Sequence, residues 1–344
     1  MIKELQLTDF RNHAALTVRL SNVTVITGAN GSGKTAILEA LSFLSVAGSW
    51  KTDRGVEVVR WEQPFSRIVG ADREVVVQRS PNYKRYRIDG ISKRLTDILG
   101  TFPTVLFQPD DSSLVHGSPA DRRRFMDRLL SQTTPGYAKA LSTLQKVLKQ
   151  RNRLLKQIQE GQAQQNELVY WDEELAKQAV LICEARQSMV EVITPLVQKH
   201  YAELMPEGLP ISLHYACSPK EKEHAFLMHL SHQRHKEIQA GTTLYGPHRE
   251  DIEFFYEDHL ASECLSRGQS RGLVLALKLA EVAYIEQTTE IAPMLLLDDI
   301  FAEFDALRRE RILTLVSNYQ SVLTVTDLAG VENHLPKGAE QITL

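Results

Sequence analysis

Residues Gly28, Ala29, Asn30, Gly31, Ser32, Gly33, Lys34 and Thr35 match the phosphate-loop pattern G-x-x-x-x-G-K-[ST] at every fixed position. Glycines let the backbone turn its N–H groups inward around a polyphosphate, where side chains would block the approach. Lys34 would reach the β- and γ-phosphates, and the Thr35 hydroxyl would hold Mg²⁺. Far along the chain, the apolar run 293–297 ends in two acids, Asp298 and Asp299. Asp298 can accept from Mg²⁺-bound water or sit close to Thr35. Asp299, one residue on, points a different way and can orient an attacking water. Gln108 ends another apolar run and precedes Pro109, Asp110 and Asp111, a group able to present oxygens to a metal. Ser266, Gly268 and Gln269 place a hydroxyl, a bare backbone and an amide at a helix start, a second ready-made anion site. The same pattern is also a common helix cap. Arg11 lies ahead of the loop, where it either folds back onto a phosphate or stays solvated.

These groups need elements to hold them. Residues 22–27 are β-branched and read as a buried strand. Residues 36–44 follow as a helix with Ile37, Leu38, Leu41 and Leu44 on one face. Strand, glycine loop and helix are the context the motif requires, and the helix N-terminus adds partial positive charge at the phosphates. The bare pattern arises by chance in on the order of one in a hundred chains of this length. Residues 1–27 alternate as two or three strands with a turn at Arg11, Asn12 and His13. Residues 73–79 read as a strand, and 83–90 carry hairpin chemistry at Asp89-Gly90. Ser118, Pro119 and Asp121 open a helix as cap, first turn and capping-box acid. Leu141, Leu144, Leu148, Leu155 and Ile158 step by three and four, with Arg151 in the gap. After a polar break at 160–166, Leu168, Trp171, Leu175, Gln178, Ile182, Ala185, Met189, Val192 and Leu196 do the same. That is heptad spacing, and it predicts two helices folded back on each other as a short antiparallel coiled coil.

The chain has 344 residues, 43% hydrophobic and 24% charged, enough for one large or two ordinary domains with a real core. Its net charge is −3, but the charges are segregated. Arg73, Arg79, Lys84, Arg85, Arg87, Lys93 and Arg94 face only Glu74 and Asp89 within 73–94. Residues 118–156 are basic, including Arg122, Arg123, Arg124 and Arg128, whereas 245–310 are acidic. Segregation creates local fields that the net value hides. Arginine and tyrosine interleave at 83–87, as nucleic-acid surfaces often do, and as ordinary solvated sheet faces also do. Cys183, Cys217 and Cys264 are far apart, so neither a zinc site nor a disulfide framework is indicated. The histidines between 224 and 235 lack a supporting carboxylate or cysteine set. No signal peptide or membrane-length apolar run is present, which predicts a cytoplasmic protein without membrane partners.

Taken in order, the phosphate loop, Gln108, Ser266-x-Gly-Gln, Leu-Leu-Leu-Asp-Asp and Asp305 resemble the ABC-type ATPase heads of transporters and SMC/Rad50-like DNA proteins. Phe10-Arg-Asn, Ser118-Pro-x-x-Arg-Arg-Arg-Phe, Gly246-Pro-His-Arg-x-Asp and Ser266-Arg-Gly-Gln resemble, within that superfamily, the RecF family of bacterial recombination and gap-repair proteins. The resemblance runs from residue 10 to 305. It implies an α/β fold: an ABC-type P-loop ATPase head of mixed sheets and helices from residues 1–110 and 244–344, with an inserted helical arm lobe at 111–243. It implies ATP and Mg²⁺ as cofactors, an ATP-dependent homodimer, and binding to gapped, double- and single-stranded DNA. It also implies a RecR-like recombination mediator as partner and weak, DNA-stimulated ATP hydrolysis acting as a switch. In such heads one subunit supplies the phosphate loop, Asp298 and Asp299, and the other supplies Ser266 and Gly268 at the γ-phosphate. Gln269 and Asp305 join the nucleotide set, and Gln108 the metal and catalytic set. Two departures stand out. Arg267 replaces the general signature glycine, and Thr326-Asp327 replaces the histidine after the last core strand, which argues against fast turnover.

Two other classes remain open from sequence. A transporter ATPase subunit would expose an apolar docking surface and carry no long heptad insertion. A phosphotransferase would need an acceptor pocket and leave Ser266-x-Gly-Gln idle.

Overall fold

The computed structural model describes every residue except 47, 53–54, 217–222, 327–334 and 337. In chain order its strands are β1 (Glu4–Phe10), β2 (His13–Arg19), β3 (Val23–Thr27), β4 (Phe65–Gly70), β5 (Arg73–Gln78), β6 (Tyr83–Ile88), β7 (Ile91–Lys93), β8 (Thr104–Phe107), β9 (Ile211–Ala216), β10 (Asp251–Tyr256), β11 (His259–Leu260), β12 (Met294–Asp298), β13 (Ser321–Val325) and β14 (Glu340–Thr343). Its helices are α1 (Lys34–Val46), α2 (Leu95–Ile98), α3 (Ser113–His116), α4 (Pro119–Thr133), α5 (Tyr137–Gln159), α6 (Leu168–Leu204), α7 (Glu223–Ala240), α8 (Ala261–Cys264), α9 (Arg267–Thr289) and α10 (Ala306–Asn318). The chain divides into two compact units. The first comprises Met1–Ser112, His200–Pro206 and Arg271–Leu344; the second comprises Ser113–Lys199 and Glu207–Ser270. Residues 244–270 therefore lie with the second unit, although the sequence reading groups them with the C-terminal part of the head. The physical reason is β10, which pairs with β9 along its full length and follows the helical segment in space.

The first unit holds two sheets. One is parallel, in the order β14-β3-β13-β12-β8. Its inner strands are buried along almost their whole length and rich in Val, Leu and Ile, as strands covered on both faces are. The other is antiparallel, in the order β2-β1-β4-β5-β6-β7. α1 packs against strands of both sheets. That explains why Ala40 and Phe43 are as buried as Ile37, Leu38, Leu41 and Leu44: the helix has two apolar faces, where the sequence suggests one.

The second unit is helical, with the small antiparallel sheet β11-β10-β9. α5 and α6 form the expected hairpin, in which Leu154, Leu155 and Leu168 pack together. Arg151 does not sit in a gap. It lies in the buried stripe, fully buried, with Nε 2.8 Å from Asp172 Oδ1, Nη2 2.6 Å from Glu237 Oε2 and Nη1 2.8 Å from Thr243 Oγ1. Further along α6, Met189 is buried as the spacing predicts, but beyond it Val190, Ile193 and Val197 are buried whereas Val192 is exposed. The heptad reading drifts by one residue there because a helix of 3.6 residues per turn slips against a 3.5 repeat. We expect Arg151→Ala to lower stability by about 3–5 kcal/mol, because it leaves Glu237 buried without its cation and Asp172 with Arg234 alone. A denaturant midpoint for the second unit's transition checks this; an unchanged midpoint would contradict it.

The sequence motif at 246–251 has a structural role in this unit. Pro247 O accepts from the buried Arg186 Nη1 at 2.7 Å, Glu250 accepts from Tyr215 Oη, and Arg122 forks onto Asp251 at 3.0 and 2.6 Å. Burial pushes the Tyr215 phenol up from its ordinary value and pushes His248 down to about 4.

Candidate phosphate-binding site

The loop leaves the C-terminal end of β3 and enters α1. Its glycines adopt φ of 155° (Gly28), 84° (Gly31) and 104° (Gly33), conformations that favour a missing Cβ. At Gly33 the requirement is also steric, since a Cβ there would lie 2.3 Å from His13 Nε2 and 2.7 Å from Asn12 Nδ2. These two side chains brace the loop from outside. Asn12 Nδ2 donates to Ser32 O at 3.2 Å, and His13 Nε2 donates to Gly33 O at 3.2 Å. Sequence reasoning places Arg11, Asn12 and His13 at a turn, with Arg11 a candidate phosphate ligand and Phe10-Arg-Asn part of the family resemblance, and no residue pattern there signals a brace. It also misses β14, whose pairing with β3 brings Leu344 N to Thr27 O at 2.9 Å.

Lys34 is buried, and its Nζ donates to Gly28 O at 2.6 Å and Ala29 O at 3.2 Å. Thr35 Oγ1 donates to Asp298 Oδ1 at 2.9 Å, and Thr324 Oγ1 donates to the same oxygen at 2.8 Å. The sheet order explains this meeting. β13 lies between β3 and β12, so Thr324 stands next to Asp298 in register, and α1 delivers Thr35 from the other side. Asp299 takes a left-handed conformation, φ 53°, and its N–H donates to Thr324 O at 3.2 Å. Its Oδ2 accepts from Thr326 Oγ1 at 2.9 Å. Gln108 follows Phe107, which pairs with Leu297, so Gln108 stands beside the acids at the same sheet edge. Its N–H donates to Asp111 Oδ2 at 2.9 Å.

The loop residues, Lys34, Thr35, Gln108, Asp298 and Asp299 thus converge at one edge of the parallel sheet. The donor set fits a Mg-bound triphosphate. Threonine hydroxyl, carboxylate and amide are hard oxygen ligands, and magnesium takes the rest of its shell from phosphates and water. Within the loop, the buried Ser32 Oγ has no hydrogen-bond partner, a polar atom that a bound phosphate would satisfy.

Other sequence candidates stand elsewhere. Arg11 is engaged within the first unit: Nε and Nη2 donate to Glu39 at 2.8 and 2.6 Å, and Nη1 to Glu57 O at 3.1 Å. Asp305 caps α10 by accepting from Arg308 N at 3.0 Å. Ser266, Gly268 and Gln269 belong to the second unit. There Ser266 N donates to Gln269 Oε1 at 2.9 Å and Gln269 N donates to Ser266 Oγ at 3.3 Å, a reciprocal cap on α9. Ser266, Arg267 and Gly268 are exposed in the chain. Asp327 and Cys217 fall outside the described residues.

The basic segments separate into distinct environments. Arg67, Val76 and Arg85 share one register row, as do Val69, Glu74 and Arg87, so Arg67, Arg85 and Arg87 lie on the outer sheet face. Lys84 points inward, 5.3 Å from the Phe43 ring centroid, and burial lowers its pKa. Arg79 Nη2 donates to Val59 O and Arg60 O at 2.9 and 3.2 Å. Arg122 is paired with Asp251, whereas Arg124 is mostly exposed. Among the described residues, no helix is long and apolar enough to cross a membrane.

Comparison with known proteins places this geometry. The family model described as RecF/RecN/SMC N terminal domain matches residues 1–329. The DNA replication and repair protein RecF of Heliobacterium modesticaldum is 38% identical, with 95% of this chain and 92% of that protein covered. The RecF of Moorella thermoacetica is 35% identical, covering 95% of this chain and 90% of that protein. A solved structure of the recombination mediator protein RecF with ATP, from the RecFOR pathway, superposes with a TM-score of 0.88 at 28% identity. It covers 96% of this chain and 93% of its own. An Smc head bound to the C-terminal winged-helix domain of ScpA shares the fold, with a TM-score of 0.51 at 18% identity over 96% of this chain and 91% of its own.

Proposed function

This chain belongs to the RecF family of DNA replication and repair proteins, within the RecF/RecN/SMC group, and from that membership we propose that it is an ATP-switched DNA-binding protein. The first unit is the ATPase head and the second its arm lobe. ATP with Mg²⁺ joins two copies head to head. The dimer binds gapped DNA, through both double- and single-stranded parts, in recombinational repair and replication restart in the cytoplasm. A RecR-like mediator is its protein partner. Slow ATP hydrolysis resets the switch.

The observation that carries this reading is the Thr35–Asp298 hydrogen bond of 2.9 Å. It joins the phosphate loop to the acid strand through two hard oxygen groups that would hold a magnesium ion. Lys34 would leave the Gly28 and Ala29 carbonyls for the β- and γ-phosphates. Thr35 and Asp298 would hold the metal, directly or through water, with Gln108 beside them. Bound magnesium would supply neutralisation of the triphosphate's negative charge. Asp299 would orient the water whose oxygen bonds the γ-phosphorus as the bond to the bridging oxygen breaks. The exposed cap at Ser266 and Gly268 would complete the site of the opposite copy, offering helix-terminal N–H groups to a γ-phosphate.

DNA affinity measured across a salt series, with and without MgATP, tests this. Binding should be tighter with MgATP and fall linearly in log–log form with salt, because phosphate contacts release counterions. Equal affinity in both conditions would contradict the switch. The same series separates the basic clusters. Neutralising Arg85 and Arg87 together should reduce the salt slope by about 1 for each DNA phosphate they neutralise. Arg122→Gln should instead lower thermal stability and leave the slope unchanged, because its guanidinium is committed to Asp251. A slope change from Arg122→Gln without loss of stability would reverse that assignment.

A further inference from the structure

The two acids of the site are each held by a threonine from the same strand and its exit. Thr324 Oγ1 donates to Asp298 Oδ1 at 2.8 Å, and Thr326 Oγ1 donates to Asp299 Oδ2 at 2.9 Å. Residues two apart on an extended chain project to the same side, so the pair addresses consecutive acids in parallel. The two acids need this help to different degrees. Asp298 also accepts from Thr35, and it closes a strand paired on both sides. Asp299 lies beyond the strand end, in a left-handed backbone conformation that disfavours a side-chain-bearing residue. Its N–H is fixed by Thr324, through O at 3.2 Å and Oγ1 at 3.1 Å. Its carboxylate is fixed by Thr326.

We propose that Thr326 is the positioning residue for Asp299, setting the orientation in which that carboxylate presents an oxygen to the attacking water. The inference rests on the proposed role of Asp299 in hydrolysis. Thr326 touches neither nucleotide nor water in this account and acts only through the carboxylate. A neutral hydroxyl anchored at the end of β13 occupies one carboxylate oxygen and limits rotation of the side chain. The other oxygen is thereby directed. Positioning of this kind is worth rate and not affinity, because the ground-state contacts to the triphosphate come from the loop, Lys34 and Thr35.

Thr326→Val keeps the shape and removes the donor; Thr326→Ser keeps the donor. With Thr326→Val, kcat for ATP should fall about tenfold, by loss of alignment, while KM and the affinity for a fluorescent ATP analogue stay within about twofold. Thr326→Ser should restore kcat to within about threefold of the parent. In the Asp299→Asn background, Thr326→Val should cost nothing further, because the group it positions is gone. In the nucleotide-free protein, hydrogen exchange of the backbone at 298–301 should quicken in Thr326→Val and not in Thr326→Ser. The positioning role is overturned by a Thr326→Val kcat at or above the parent's, by a serine variant as slow as the valine one, or by unchanged exchange at 298–301. If Asp299→Asn itself hydrolyses ATP like the parent, the reading of the site fails and Thr326 falls with it. If Asp299→Asn is slow while Thr326→Val is normal, only the role of Thr326 fails.

Discussion

Lys34→Ala loses at least about two orders of magnitude in ATP affinity. The reasoning is electrostatic. Charge-assisted hydrogen bonds contribute about 1.5–3 kcal/mol each, and two such bonds to the β- and γ-phosphates amount to a hundredfold or more. The loop's shape does not depend on the lysine alone. The loop is held from outside by Asn12 at Ser32 O and by His13 at Gly33 O, and Thr35 stays bonded to Asp298. The variant should therefore fold, keep its melting temperature within a few degrees, and fail to bind. Titration calorimetry with MgATP checks the affinity, and DNA binding should lose its dependence on ATP. A Lys34→Ala protein that still binds DNA in an ATP-dependent way would remove the phosphate loop from the account.

The second large effect separates holding ATP from using it. Ser266→Arg puts bulk and charge at an exposed helix cap, where the proposed dimer docks the opposite γ-phosphate. It also removes the Ser266 Oγ that accepts from Gln269 N, which costs about 0.5–2 kcal/mol of helix stability and leaves the first unit's loop untouched. ATP binding by each copy should survive, and ATP-induced pairing should disappear. Asp299→Asn should do the reverse. The amide keeps the shape and can still accept from Thr326, but it lacks the charge that makes the side chain a base. Binding and pairing persist while turnover falls by about a hundredfold or more, the range of general-base contributions. Phosphate release and sedimentation on the same samples read both properties. If Ser266→Arg pairs normally with ATP, the second unit contributes nothing to the site.

Much of this was legible because short-range chemistry carries it. The phosphate loop follows from residue types at fixed spacing, and the strand before it from β-branching. Asp298 is legible because an apolar strand ending in acids has few other uses, and its hydrogen bond to Thr35 is the expected meeting. The brace by Asn12 and His13 was not legible. It depends on β1 and β2 folding their turn against a loop about twenty residues away, and neither residue type announces that. The fate of the basic residues was not legible either. Arg122 and Arg124 are near neighbours on one helix, yet one is largely buried on Asp251 and the other is mostly exposed beside Asp121, and Lys84 turns inward beside Arg85. Strand alternation and tertiary pairing decide such cases, and a charge count cannot. The heptad reading placed the hairpin but drifted along α6, where helical pitch and not the repeat governs burial. The reading of Arg11 as a phosphate ligand meets its bond to Glu39, which a nucleotide would have to displace.

The central claim is that nucleotide joins two copies of this chain into one site. Sedimentation velocity of the full chain, without nucleotide and with MgATP, tests it most directly, with Asp299→Asn alongside to suppress hydrolysis. The account predicts a monomer without nucleotide and a dimer with MgATP, more persistent in Asp299→Asn than in the parent. A protein that binds MgATP and remains monomeric in both forms across the concentration series would contradict it.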